Sequence, residues 1–142
     1  MTVSTHVLDA SLGTPAAGVS VTLARLTADP LTSDPLTGDP LTGDLLRQGR
    51  LPEDPLPGVW QDVESGATDA DGRHRFGAAT PGGVYRLVFG TGAYFIARGV
   101  AAFYPEVTIT FTVAEPLGTA SAGHFHVPLL LSPFSYSTYR GS

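Results

Sequence analysis

No cysteine and no lysine occur in these 142 residues, so all eight basic side chains are arginine. Without cysteine there is no disulfide framework, no thiol nucleophile and no thiolate zinc ligand. Without lysine there is no Schiff-base or lysine-base chemistry. No apolar run approaches the roughly 18–20 residues that a membrane-spanning helix needs. Residues 1–6 lack both the basic and the apolar regions of a secretion signal, and a cytoplasmic protein is the expectation.

Charge is also scarce outside one segment. The net charge is −5, and residues 27–57 carry six acids against Arg47 and Arg50, or −4. The rest of the chain stands near neutrality at −1. A near-neutral body offers nucleic acid or an anionic membrane no electrostatic footprint.

What the chain has in quantity is turn residues, 17 glycines and 12 prolines, together with alternating apolar runs. Period-two alternation marks strands at residues 3–9, 18–26, 83–89 and 106–113, with strand character resuming at 59–63. In the first, Ser4, His6 and Leu8 share one face while Val3, Thr5 and Val7 take the other. In the fourth, Val107, Ile109, Phe111 and Val113 oppose three threonines. Residues 124–132 and 134–140 read as a closing strand pair with a corner at Ser132 and Pro133. Residues 91–98 predict the one short helix, capped by Thr91 and stopped by Gly99. Asp69, Asp71 and Gly72 predict a turn with positive φ at the glycine, ending at Arg73. Short, evenly spaced strands with one helix predict an all-β sandwich.

Residues 28–47 break the pattern with a repeat of period five built on Asp-Pro-Leu-Thr. Proline every fifth residue blocks a continuous helix and a central strand alike. The segment at about 27–57 therefore reads as a loosely packed excursion from a single domain, 1–142.

Four histidines can be weighed one by one. His6 lies mid-strand. His124 and His126, two apart in a strand, share a face, a spacing that suits zinc if His6 joins them. His74, between Arg73 and Arg75, reads as solvated. Asp69 and Asp71 open like a calcium loop but lack its later ligands, so the turn reading prevails. The last residues, Tyr139, Arg140, Gly141 and Ser142, follow a strand-like run without a linker. They bring a hydroxyl, a guanidinium and a carboxylate to wherever that strand ends.

These segments together resemble a known family. They are Ser4 to Asp9, Thr68 to Arg73, Gly92 to Phe95, Phe103 to Val107, His124 to Pro133, and the tail Tyr139 to Ser142. The chain resembles the transthyretin-like family in its 5-hydroxyisourate hydrolase branch, everywhere except residues 27–57. The tail tetrapeptide distinguishes the hydrolases from the hormone carrier transthyretin, which has lysine in place of His6. The resemblance implies an eight-stranded β-sandwich with one short helix and a homotetramer with sites at the dimer–dimer interface. It implies His6, Arg73, His126 and Ser142 as the catalytic set, with Tyr139 and Arg140 shaping the substrate pocket.

It further implies cleavage of the N1–C6 ring amide of 5-hydroxyisourate to 2-oxo-4-hydroxy-4-carboxy-5-ureidoimidazoline, a step of urate degradation. No cofactor or metal is implied. Histidine suits proton transfer near neutral pH. His6 is read as base, His126 as acid or orienter, Arg73 as the donor fork for the oxyanion, and Ser142 as a positioning group. The alternatives are a carrier of a small aromatic ligand in the manner of transthyretin and a zinc hydrolase on His6, His124 and His126.

Overall fold

A computed structural model describes residues 1–28, 57–115 and 123–142. The proline repeat lies outside these described residues, apart from its first position, Ala28. The chain divides into two compact units, Met1–Arg25 with Asp62–Ser142, and Leu26–Gln61.

Nine strands and one helix are described, in chain order. They are β1 (Thr2–Asp9), β2 (Thr14–Pro15), β3 (Ser20–Thr27), β4 (Val59–Ala67), β5 (Arg73–Arg75) and β6 (Gly83–Phe89). After the helix α1 (Thr91–Ala97) come β7 (Val107–Val113), β8 (His124–Leu131) and β9 (Tyr136–Thr138). One sheet runs β2-β1-β8-β9, with β5 also pairing β1; the other runs β4-β3-β6-β7. This is the expected two-sheet, mostly β architecture with one short helix.

The alternation read in the sequence decides which side of each strand is buried. Val3, Val7, Leu129 and Leu131 of the first sheet and Leu23, Leu87, Phe89 and Val107 of the second enter one hydrophobic core. Burying such a side chain contributes about 1.5–3 kcal/mol relative to leaving it exposed. Thr108, Thr110 and Thr112 take the solvent face of β7, as their period requires.

One buried carboxylate ties β1 to the helix. Asp9, almost fully buried, accepts hydrogen bonds from the Ser11 and Leu12 amides at 3.0 and 3.3 Å and from the Ser11 hydroxyl. The Tyr94 hydroxyl donates to its other oxygen at 2.9 Å. Burial pushes the Asp9 carboxyl up, but these hydrogen bonds outweigh it and hold the group below its usual range. Burial first, then the bond to Asp9, pushes the Tyr94 phenol up to about 12.

Three local expectations change. Gly90, not Thr91, is the helix N-cap, and no side chain caps it; Thr91 is the first helical residue, buried, with its hydroxyl unpaired among the described residues. The predicted C-terminal stop holds, since Gly99 adopts φ +70°. Residues 73–75, for which no strand was expected, form β5 because the Asp69 turn delivers them to the edge of β1. His74, read as solvated, points into the body instead. Its ring stands edge-on to Phe76 at 4.6 Å, and its Nε2 lies 3.9 Å from Glu64 Oε2.

Candidate active site

Strand β1 has neighbours on both sides, and its register assembles the polar face of the sheet. It runs antiparallel to β5, with Ser4 opposite Arg75 and His6 opposite Arg73. It runs parallel to β8, with Thr2 opposite His124, Ser4 opposite His126 and His6 opposite Pro128. Directly paired residues project to the same side of a sheet. Val3 and Val7 occupy the core side, so Thr2, Ser4, His6, Arg73, Arg75, His124 and His126 share the other. Three segments far apart in sequence thus place their polar side chains on one surface.

The turn before β5 fixes the backbone of Arg73. Asp69 Oδ1 accepts hydrogen bonds from the Asp71 amide at 2.9 Å and the Arg73 amide at 3.0 Å. The bond from the Arg73 amide, more than any other influence, holds the Asp69 carboxyl below its usual range. Gly72 turns the chain at φ +75°, and a Cβ there would stand 2.4 Å from the Val7 carbonyl oxygen. Only glycine allows this approach, because Val7 N donates to Gly72 O at 2.7 Å.

The tail reaches the same surface along β8. The antiparallel register of β8 and β9, Leu129 opposite Thr138, continues in a bridge between His126 and Gly141. The Gly141 amide donates to the His126 carbonyl at 2.8 Å. The His126 ring lies over Gly141, where a Cβ would come within 2.4 Å of its Cδ2. Ser142 is thereby delivered to the rim.

A cavity of about 450 Å³ opens on this face. Arg73, His126 and Ser142 line it, together with Ser4, Asp69, Arg75 and His124. The Arg73 and Arg75 guanidiniums share this lining with the Asp69 carboxylate and the terminal carboxylate of Ser142, and their planar N–H forks can donate to electron-rich oxygen atoms. His6 does not wall the cavity; it stands beside it, opposite Arg73 in the register, and acts on Asp69 and His126 through its charge.

His126 is half-buried, and burial is the main cause of a pKa lowered from the usual imidazole value. The charges of Arg73, His124 and His6 lower it further, while Ser4 opposes them. An imidazole so placed is neutral at neutral pH and can accept a proton.

Tyr139 and Arg140 do not line this cavity. They border a second, mainly apolar cavity of about 240 Å³ walled by Ile109, Phe111, Phe125 and Val127, which shares only His126 with the first. The Arg140 guanidinium sits 5.2 Å above the Phe125 ring, on the face of β8 opposite His126. A cation over an aromatic face is attracted there.

Ser4 and Thr2 were not singled out in the sequence as partners of the histidines. The signal was present, since Thr2, Ser4 and His6 alternate as His124 and His126 do, but only the β1–β8 register pairs them. Among the described residues no three potential metal-ligating side chains are grouped. None of the described helices is long and apolar enough to cross a membrane.

Comparison with known proteins assigns the chain to a family. Residues 3–141 match the model of a family described as the HIUase/Transthyretin family. A 5-hydroxyisourate hydrolase of Mus musculus is 37% identical over 143 residues, covering 98% of this chain and 93% of the relative. One from Mesorhizobium japonicum is also 37% identical, with coverages of 98% and 90%. Among solved structures, a Klebsiella pneumoniae 5-hydroxyisourate hydrolase superposes with a TM-score of 0.67 at 31% identity, covering all of both chains. A transthyretin from Sparus aurata superposes with a TM-score of 0.69 at 31% identity, covering 98% and 95%.

Proposed function

This chain belongs to the HIUase/Transthyretin family, and from that premise we propose that it hydrolyses 5-hydroxyisourate. The reaction opens the six-membered ring at its N1–C6 amide and yields 2-oxo-4-hydroxy-4-carboxy-5-ureidoimidazoline. One observation carries the reading: Arg73, His126 and Ser142 wall a single cavity, with His6 registered opposite Arg73 beside it. The fold alone does not choose between enzyme and carrier, because a hydrolase and a transthyretin superpose about equally well. The polar cavity, with two guanidinium donors and an imidazole in its wall, favours the hydrolase.

Amide hydrolysis needs an activated water, a stabilised oxyanion and a proton for the departing nitrogen. The lowered pKa of His126 gives it the base role that the sequence had suggested for His6. His126 takes a proton from water as the oxygen attacks the ring carbonyl. Arg73 donates to the oxyanion through its planar fork. His6, next to Arg73, supplies the proton to the ring nitrogen, and Ser142 positions the substrate. Tyr139 and Arg140 bound the substrate site indirectly, by anchoring the tail that carries Ser142. Residues 1–142 act as one domain in this reading, and the segment at 27–57 has no catalytic part.

The test is optical. 5-Hydroxyisourate, freshly generated by oxidation of urate, loses its absorbance faster with the purified protein than by spontaneous decay. Equal rates with and without the protein would falsify the assignment.

A further inference from the structure

Three hydrogen bonds beside the cavity run end to end across β1 and β8. Thr2 Oγ1 lies 2.6 Å from His124 Nδ1, Ser4 Oγ lies 2.8 Å from His124 Nε2, and the same Ser4 Oγ lies 2.8 Å from His126 Nδ1. The parallel register produces this chain, since Thr2 is paired with His124 and Ser4 with His126 on one face. One end, His126, is half-buried in the cavity wall; toward the other end, at Thr2, the chain passes through His124, which is exposed.

We propose that Thr2, Ser4 and His124 form a proton relay that sets the tautomer of His126 and carries its proton from the cavity to solvent. A serine hydroxyl has one proton, so it can donate to only one of its two imidazole neighbours. The other imidazole must donate to it. With both rings neutral, the chain has two self-consistent directions.

In the first, His126 Nδ1–H donates to Ser4, the Ser4 hydroxyl donates to His124 Nε2, and His124 Nδ1–H donates to Thr2. This leaves a lone pair on His126 Nε2, for which no hydrogen bond occurs among the described residues. In the reverse direction Nε2 carries the proton and cannot act as base. The first direction is the resting one, and Ser4 and His124 are positioning residues that act through His126.

The relay also solves a problem of charge. Burial and the Arg73 guanidinium make a cationic His126 unfavourable. When Nε2 takes a proton from water, Nδ1 gives its proton to Ser4 Oγ as Ser4 gives its own to His124 Nε2. His126 and Ser4 end neutral, and the positive charge appears on His124, in contact with water. Arg75, opposite Ser4 in the register, opposes further protonation near that serine. Loss of the Nδ1 proton from His124 to water leaves the chain in the reverse direction. The resting one returns when His126 Nε2–H gives its proton to water, Ser4 gives its own to His126 Nδ1, His124 Nε2–H gives its own to Ser4, and His124 Nδ1 takes a proton from water.

The relay rests on the proposed hydrolysis but is tested apart from it. Long-range ¹H–¹⁵N spectra of the resting protein read the His126 tautomer directly. The expected result is the Nδ1–H form in the unaltered chain and a shift toward Nε2–H in Ser4→Ala. In kinetics, Ser4→Ala and His124→Phe lower kcat by about tenfold or more with little change in KM, and Ser4→Thr, which keeps the hydroxyl, restores most of it. His124 is exposed, so its replacement leaves the core intact. An Nε2–H tautomer in the resting protein would overturn the relay, as would unchanged kcat in both variants. Absence of hydrolysis by the unaltered protein would remove the substrate reading, while the spectra would still decide the tautomer.

Discussion

At the scale of single residues, the proposed mechanism depends on an imidazole held neutral where a proton is to be accepted. Burial and the nearby Arg73 charge both disfavour the imidazolium of His126. The acid limb of kcat/KM, which reports the free enzyme's groups, should therefore fall below the ordinary imidazole value of about 6.5. Replacing Arg73 with glutamine removes one cause of the depression, so the limb should move to higher pH on top of a large loss of rate. A limb that stays in place would mean that another group sets the profile. The resemblance singled out His6, Arg73, His126 and Ser142, of which the last three line the cavity. The division of proton roles was not legible in the sequence, because burial and neighbouring charge are properties of packing.

At the scale of elements, the decisive features are register and the close approach of backbone to ring. The His126 ring lies so close to Gly141 that a Cβ there would collide with it. Gly141→Ala should displace the ring or the tail, lowering kcat by about an order of magnitude while leaving thermal stability nearly unchanged. Wild-type turnover in that variant would show that the contact does not position the base. The strands themselves were readable: 83–89 was placed to the residue, and the two faces of 107–113 followed from alternation. β5 was missed, because three residues of Arg73-His74-Arg75 carry no strand pattern and become a strand only by pairing with β1. The helix cap was misplaced by one position, since a capping side chain and a buried first-turn side chain look alike in sequence.

At the scale of the molecule, apolar surface remains uncovered. Phe103, Phe134 and Tyr139 are 70%, 69% and 58% exposed, and the Tyr104 ring links Phe103 to Tyr136, at 4.9 and 5.2 Å. Large exposed aromatic groups are a common mark of subunit contacts. We propose that four chains assemble with their cavities facing the dimer–dimer interface. Light scattering should give a mass about four times the 14.8 kDa of one chain, and Phe134→Asp should lower it. A monomeric mass at micromolar concentration would refute that assembly.

The order of residues alone determined the strands that alternate, the turn that ends at Arg73 and the short list of groups able to move protons. It did so because period, turn chemistry and side-chain acidity are local properties. Tertiary structure decided which of those groups meet. The parallel pairing of β1 with β8 set Ser4 between two imidazoles, and the path of the tail divided Ser142 from Arg140. Pairing between segments more than a hundred residues apart depends on how two sheets close over one core, which no local stretch of chain encodes.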